Sequence, residues 1–332
     1  MNENMPVSVF GGRANVPSFP LKVFSGRANV PLAEKIARYL GDPLGKVELR
    51  NFPDGEFWAR IDEDVRGRDV FVVQSTCHPV NDNIMELLIM LDSLKRASAA
   101  RITVVLPYYG YARQDRKAEG RVPITAKLVA DLLTSSGAQR VLTLDLHAAQ
   151  IQGFFDIPVD HLYASPVIMQ AVRDLNIDPR EFVVLSPDEG SVKRALRYQK
   201  KLNVNMAIVD KRRVSASQVE NANLIGASLE GKVALIFDDM ISTAGTVVSA
   251  ARTARTVGKA KAVYIFATHG VLCGDAIKNL REGPIEKVVI TDTIPLSPEK
   301  QIAKIEVVTV AELLADAIKR IHFNQSVSEL FV

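Results

Sequence analysis

Residues 232–250 read KVALIFDDMISTAGTVVSA, and this stretch indicates the fold. An apolar, β-branched run ends in Asp238 and Asp239, and a turn of small residues follows it. The next residues have apolar side chains three and four apart. The first pattern is typical of a buried strand and the last of a helix. The stretch therefore predicts a strand, a turn and a helix, the unit from which largely parallel sheets are built.

The same alternation runs from residue 21 almost to the C-terminus. Short apolar runs bounded by turn residues alternate with longer amphipathic ones, which favours βα units. We predict an α/β fold with two similar domains, each a largely parallel sheet flanked by helices. The predicted boundaries are an N-terminal extension over 1–20, a first domain over 21–164, a second domain over 165–310, and a C-terminal helix and tail over 311–332.

One short repeat lies near the N-terminus. VFGGRANVP at 9–17 recurs with one change as VFSGRANVP at 23–31. Two copies are too few, and the period too short, for a solenoid. We interpret the first copy as an extension duplicated from the first strand, without a catalytic role.

Composition excludes several classes of protein. The chain has 332 residues, 47% of them hydrophobic and 24% charged, which is typical of a globular protein with a sizeable core. A net charge of +3 does not indicate a nucleic-acid or membrane partner. The N-terminus lacks the pattern of a signal peptide, so we predict a cytoplasmic protein. Cys77 and Cys273 have no metal or disulfide spacing.

The turn after the two aspartates predicts an anion site. Small residues that lead into a helix leave backbone N–H groups unpaired, and the helix dipole adds positive charge, so a phosphate fits there. Asp238 and Asp239 would repel that phosphate unless they face sugar hydroxyls or a metal ion. A sugar phosphate satisfies both requirements. The alternative is an ordinary helix start, capped by Ser242 or Thr243, with solvated aspartates.

Two other polar segments are candidates for substrate contacts. YARQDRK places Arg113, Gln114 and two further cations beyond a strand end, where guanidinium groups suit a triphosphate. FPDGE at 52–56 is a tight turn between two strands. The alternatives are a solvated basic face and a purely structural hairpin.

Three more candidates follow strands. His147 ends an apolar run, where a hydrogen-bonded core histidine is the plainer interpretation, and Asp188 lies between a strand and a helix. The segment over 209–226 has three cations, at 211–213, followed by a polar run of poor periodicity. It predicts a mobile loop over the site, with a solvated charge run as the alternative.

Several motifs together resemble those of the ribose-phosphate diphosphokinase family. DDMISTAGT is similar to the loop that this family shares with type I phosphoribosyltransferases. The segments that favour the diphosphokinases are NFPDGE at 51–56, PYYGYARQDRK at 107–117, DLHAAQIQGFFDIPVD at 145–160 and SPDEG at 186–190. The resemblance runs from about residue 21 to the C-terminus.

The resemblance implies two type I phosphoribosyltransferase-like domains and a Mg²⁺-dependent transfer of diphosphate from ATP to ribose 5-phosphate. The product is the phosphoribosyl donor for nucleotide, histidine and tryptophan biosynthesis. It also implies a homo-oligomer, a hexamer in which a neighbouring subunit supplies the ATP-binding hairpin. The implied site residues are Lys211 and Arg213 for catalysis, Phe52, Asp54, Glu56, Arg113 and Gln114 for ATP, Arg213, Asp238, Asp239, Ser242, Thr243, Ala244, Gly245 and Thr246 for ribose 5-phosphate, and His147 and Asp188 for the metal.

The chain departs from the family pattern at a few positions. Ser242 stands where most relatives carry a third aspartate, and Ser191 where a second glycine often follows. Asp64 replaces an uncharged polar residue near an expected regulatory phosphate site, where a carboxylate would oppose phosphate. Two alternatives remain: a catalytically silent regulatory paralogue, and a phosphoribosyltransferase, which would need neither FPDGE nor YARQDRK.

Overall fold

The computed structural model describes residues 19–212 and 221–331. Apart from a few single turns of 3-10 helix, its regular elements alternate along the chain much as the sequence predicts. The helices are Val30–Leu40 (α1), Val80–Arg96 (α2), Thr125–Ser136 (α3), Ser165–Arg173 (α4), Val192–Leu202 (α5), Gly245–Thr256 (α6), Ala276–Glu282 (α7) and Ala311–His322 (α8). The strands are Leu21–Ser25 (β1), Val47–Asn51 (β2), Phe57–Ile61 (β3), Asp69–Val73 (β4), Arg101–Leu106 (β5), Arg140–Leu144 (β6), Val159–Leu162 (β7), Phe182–Ser186 (β8), Asn205–Arg212 (β9), Asn221–Gly226 (β10), Val233–Ile241 (β11), Ala262–Gly270 (β12), Lys287–Thr291 (β13) and Ile305–Val308 (β14).

The first domain contains a parallel sheet with strand order β1-β4-β5-β6-β7. Strand β4, DVFVV, is buried along its whole length, as expected for a central strand that is covered on both faces. Strands β2 and β3 form a separate antiparallel hairpin. This hairpin carries the predicted FPDGE turn away from the sheet.

The second domain contains a seven-stranded sheet with order β10-β9-β8-β11-β12-β13-β14. All neighbouring strands are parallel except β9 and β10. A shared hydrophobic cluster joins the two domains, because residues of β1 and α1 pack with residues of β8, β11 and α8. The predicted fold class is confirmed. The exact domain boundaries stay a prediction.

The structure differs from the sequence interpretation in a few elements. Strand β11 continues past the two aspartates to Ile241 and pairs with β12 over that length, so both carboxylates lie within the strand. The predicted loop over 209–226 is partly wrong, because β9 and β10 occupy both of its ends and residues 213–220 lie outside the described part of the chain. Strand β7 and helix α7 were not predicted. Within the described ranges, no helix has the length and apolar character to cross a membrane.

A buried ion cluster fastens α8 to the first domain. The side chain of Asp69, at the start of β4, is fully buried. Arg101 donates from Nε to one of its oxygens at 2.7 Å and from Nη2 to the other. On the second oxygen, His322 Nδ1 lies 2.8 Å away. Because a buried carboxylate needs compensating partners, this cluster fixes the end of α8 against β4 and β5.

Replacing Asp69 tests how much this cluster stabilises the fold. We expect Asp69→Asn to lower the free energy of unfolding by about 3 kcal/mol, because it leaves the Arg101 charge without its partner. Urea unfolding followed by circular dichroism measures this. The matched control is Asp92→Asn, which breaks the exposed Arg96–Asp92 pair and should leave the midpoint unchanged. An equal effect of both variants would contradict the prediction.

Candidate active site

A cavity of about 510 Å³ opens beyond the carboxyl ends of β8 and β11. Ligands of open α/β sheets bind at this edge, where loops and helix N-termini converge. Both domains contribute to its walls. The first domain supplies Arg113 and His147, and the second supplies Asp188, Gly190, Ser191, Arg194 and the continuous segment 238–247.

The turn between β11 and α6 forms one wall of the cavity. Residues from the segment after β12 and from α7 hold this turn in place by hydrogen bonds. Cys273 donates its backbone N–H to Ser242 O at 3.0 Å, and Asn279 Nδ2 donates to Thr243 O at 3.0 Å. Ala244 adopts a left-handed conformation with φ of 63°, which is unusual for a residue other than glycine. Ala244 occupies the position before the helix, and its side chain provides no capping hydrogen bond.

Helix α6 therefore begins without a side-chain cap. The alternative in which Ser242 or Thr243 caps α6 is wrong. Instead, Ser242 Oγ lies 3.2 Å from Cys273 Sγ. The first N–H groups of an uncapped helix need acceptors. In a cavity wall, an anion can supply them.

The two aspartates are paired with a cation from the neighbouring helix. Arg194, in the first turn of α5, bonds through Nη1 to Asp238 Oδ1 and lies with Nη2 2.7 Å from Asp239 Oδ1. Only 5% of the Asp239 side chain and 16% of the Asp238 side chain are exposed. The alternative of solvated aspartates is therefore wrong. Sequence reasoning missed Arg194; the available signal was a pair of adjacent carboxylates at the end of an apolar strand, which need a nearby cation when they are buried.

His147 completes this network across the domain junction. Its Nδ1 lies 2.7 Å from Asp239 Oδ2. The hydrogen bond to Asp239 raises the pKa of His147. Burial would raise the pKa of Asp239, but the hydrogen bond from His147 and the charge of Arg194 outweigh it and hold that pKa below its usual value. Burial raises the pKa of Asp238 to about 7 against the opposing charge of Arg194.

The segment that carries His147 is fixed by partners from several elements. Asp145 has a left-handed backbone with φ of 36°, and its Oδ2 accepts from Thr268 Oγ1 at 2.6 Å and from Ala164 N at 2.8 Å. The next N–H, of Leu146, donates to His161 Nε2 at 2.9 Å. A strained backbone persists only when its surroundings fix it, and these three bonds do so at the two residues that precede His147.

The other predicted residues are distributed between the cavity and more distant positions. Asp188 lines the cavity and accepts the Ser191 N–H on Oδ1 at 2.9 Å. Gln114 lies outside the lining and accepts from Thr125 Oγ1. Lys211 occupies the penultimate position of β9, paired with Ala222. Arg213 lies outside the described residues.

The predicted ATP-binding hairpin does not line the cavity of its own chain. Phe52, Asp54 and Glu56 are all exposed at the turn between β2 and β3. The segment after β5 reaches the cavity through Arg113 alone among the predicted ATP ligands.

Comparison with known proteins decides the family. Residues 21–137 match the model of the N-terminal domain of ribose phosphate pyrophosphokinase, and residues 214–332 match the phosphoribosyl synthetase-associated domain. A ribose-phosphate pyrophosphokinase of Rhodopirellula baltica is 62% identical over 325 residues, covering 98% of each chain. The chain belongs to the ribose-phosphate pyrophosphokinase family.

Two further similarities agree with this assignment. Ribose-phosphate pyrophosphokinase and ribose-phosphate diphosphokinase are two names for the same family. A ribose-phosphate pyrophosphokinase of Caldanaerobacter subterraneus is 57% identical over 300 residues, covering 90% of this chain and 94% of the relative. The crystal structure of phosphoribosylpyrophosphate synthetase from Mycobacterium smegmatis has a TM-score of 0.86 and 42% identity, and the match covers 92% of this chain and 99% of that one. The predicted family and enzyme class are confirmed.

The histidine that supports the His147 segment predicts a pH effect on stability. Burial lowers the pKa of His161 to about 4. Below about pH 6.5 the unfolded chain binds a proton that the folded chain excludes, so the free energy of unfolding falls by about 3 kcal/mol as the pH drops to about 4. His161→Gln keeps an acceptor for Leu146 but does not titrate, so its stability should fall less over this range.

Urea unfolding at a series of pH values measures the difference. His78→Gln is the matched control, because His78 is exposed and should retain the wild-type slope. A His161→Gln variant with the wild-type pH dependence would contradict the role of His161 as a neutral acceptor.

Proposed function

We propose that this pyrophosphokinase transfers the β,γ-diphosphoryl group of MgATP to the C1 hydroxyl of ribose 5-phosphate. The C1 oxygen attacks the β-phosphorus, the bond to the oxygen of the α-phosphate breaks, and AMP leaves. The products are 5-phosphoribosyl 1-diphosphate and AMP. The observation that carries this proposal is one cavity whose lining joins an uncapped helix N-terminus, a fixed carboxylate pair, and Arg113 and His147 of the first domain.

Ribose 5-phosphate would bind along the β11–α6 turn. Residues 242–246 are suited to the 5-phosphate, because α6 begins without a side-chain cap and its first N–H groups lie at the positive end of the helix. Asp238 and Asp239 would accept the ribose hydroxyls. Phosphoryl-type transfer depends mostly on positioning and charge neutralisation, so a rigid arrangement of this kind is what the reaction requires.

The cavity also suits the triphosphate of ATP. Arg113 offers a guanidinium group, which binds phosphate oxygens in a fork. Gln114 is proposed as its partner, and Phe52, Asp54 and Glu56 as contacts for the adenine base. Lys211 and Arg213 are proposed to stabilise charge that develops on the transferred group and on the leaving AMP. Arg213 is also proposed as a ribose 5-phosphate ligand.

Mg²⁺ is the proposed cofactor, with His147 and Asp188 as its protein ligands. Within 19–212 and 221–331, no group of three or more His, Cys, Asp or Glu side chains is arranged to hold a metal. A sparse donor set fits Mg²⁺, which keeps several waters and binds through one or two carboxylates and substrate phosphates. Asp188 offers an oxygen donor, whereas a histidine is a less usual ligand for this ion. When bound, Mg²⁺ would neutralise charge on the phosphates.

The decisive test is AMP formation from ATP, Mg²⁺ and ribose 5-phosphate, with and without added inorganic phosphate. We expect AMP and phosphoribosyl diphosphate in equal amounts, and none after chelation of Mg²⁺. Lys211→Ala should lower kcat on the order of 10²-fold, as removal of a preorganised donor does elsewhere. Lys201→Ala, an exposed lysine at the end of α5, should retain the wild-type kcat.

Each contrary outcome has a distinct meaning. No AMP under any condition would overturn the proposal and favour the catalytically silent paralogue. Diphosphate release from phosphoribosyl diphosphate in the presence of a nucleobase, without AMP formation, would favour a phosphoribosyltransferase.

The hairpin position predicts an oligomer. Phe52, Asp54 and Glu56 are exposed and lie outside the cavity of their own chain, so a contribution to ATP binding would come from a neighbouring subunit. We therefore propose a homo-oligomer, and a hexamer in line with the family resemblance. Light scattering should give six times the chain mass. A monomer that has full activity would contradict this arrangement.

A further inference from the structure

Arg194 is the feature of the site that neither the sequence motifs nor the proposed roles use. Its side chain is 24% exposed and contacts both carboxylates of the pair. It belongs to α5, whereas the carboxylates belong to β11. Arg194 therefore connects two elements of the second domain at the point where the sugar would bind.

Three of the four carboxylate oxygens of Asp238 and Asp239 contact Arg194 or His147. Asp239 has Oδ1 on Arg194 and Oδ2 on His147, each at 2.7 Å. Asp238 has Oδ1 on Arg194 and also accepts the Asp239 N–H there, at 2.9 Å. The Asp238 side chain also lines the cavity and is 16% exposed, so it can contact a ligand there.

A cation at this position has two physical consequences. Adjacent buried carboxylates repel each other, and their side chains would separate without positive charge between them. A planar guanidinium can bind two acceptors in one fixed geometry, whereas an ammonium acts as a single point charge. Positive charge between two carboxylates also repels a second cation.

We propose that Arg194 is a positioning residue for ribose binding: it aligns Asp238 and Asp239 toward the sugar hydroxyls and occupies the place where a divalent cation would otherwise bridge the two carboxylates. The first part rests on the proposed function. The second part concerns only the chain and its affinity for cations, and can be measured without substrates.

Steady-state kinetics test the first part. Arg194→Gln should raise the KM for ribose 5-phosphate at least tenfold, with a smaller change in the KM for ATP, because the sugar ligands lose their alignment. Arg194→Lys should recover part of the affinity, since it restores the charge but not the fork. Lys193→Gln removes an exposed charge from the preceding position and should leave the KM values for ribose 5-phosphate and ATP unchanged.

Mn²⁺ binding to the substrate-free protein tests the second part. Titration followed by electron paramagnetic resonance, above neutral pH, counts the bound ions. Arg194→Gln should bind one more Mn²⁺ per chain than wild type, and Lys193→Gln the same number as wild type. Adding Asp238→Asn to Arg194→Gln should abolish the additional site, which assigns it to the carboxylate pair.

An unchanged Mn²⁺ count in a folded Arg194→Gln variant would overturn the proposal, and so would an unchanged KM for ribose 5-phosphate. Circular dichroism of each variant establishes that its fold is intact. If wild type forms no AMP, the proposed function fails, and the Mn²⁺ counts still decide whether Arg194 excludes a cation from the pair.

Discussion

The burial of two adjacent carboxylates is the constraint on which the site depends. Removing an ionised carboxylate from water costs several kcal/mol even after relaxation, and a like charge beside it adds to the cost. Asp238 and Asp239 are both largely buried, at the carboxyl end of an apolar strand. The surrounding structure offsets this cost with one guanidinium from α5 and one imidazole from the first domain. Both groups also line the cavity.

The domain junction combines directional polar contacts at this edge with an apolar cluster further from the site. His147 must cross from the first domain to reach Asp239, so the segment before it cannot move freely. Asp145 is bound by Thr268 of β12, and His269 Nδ1 lies 2.9 Å from Thr293 Oγ1 on the same side. Further from the site, the cluster of α1 and α8 with both sheets is apolar. Hydrophobic burial thus holds the domains together, and a few directional bonds fix their alignment at the site.

The sequence predicted the fold class well, because the βα alternation and the fully apolar strands are local patterns. It also predicted the strand, turn and helix over 232–250, since small residues before a helix are readable without tertiary information. It missed β10 and misjudged 209–226, because edge strands rich in polar residues lack an apolar signal. The sequence also predicts too early an end for β11, because two polar residues, Asp238 and Asp239, interrupt the apolar signal. Pairing with β12 continues through Ile241.

Arg194 shows where sequence reasoning about a site reaches its limit. Its helix contains five Lys or Arg side chains, and their spacing does not reveal which of them turns inward. Only the packing of α5 against β11 and β8 selects Arg194, while the neighbouring Lys193 stays exposed. The requirement for a cation could have been predicted from the buried aspartates, but the identity of its donor depends on the angle at which a helix crosses a sheet. For a buried ion pair, the sequence can indicate that a carboxylate requires a cation, but the tertiary structure determines which side chain supplies it.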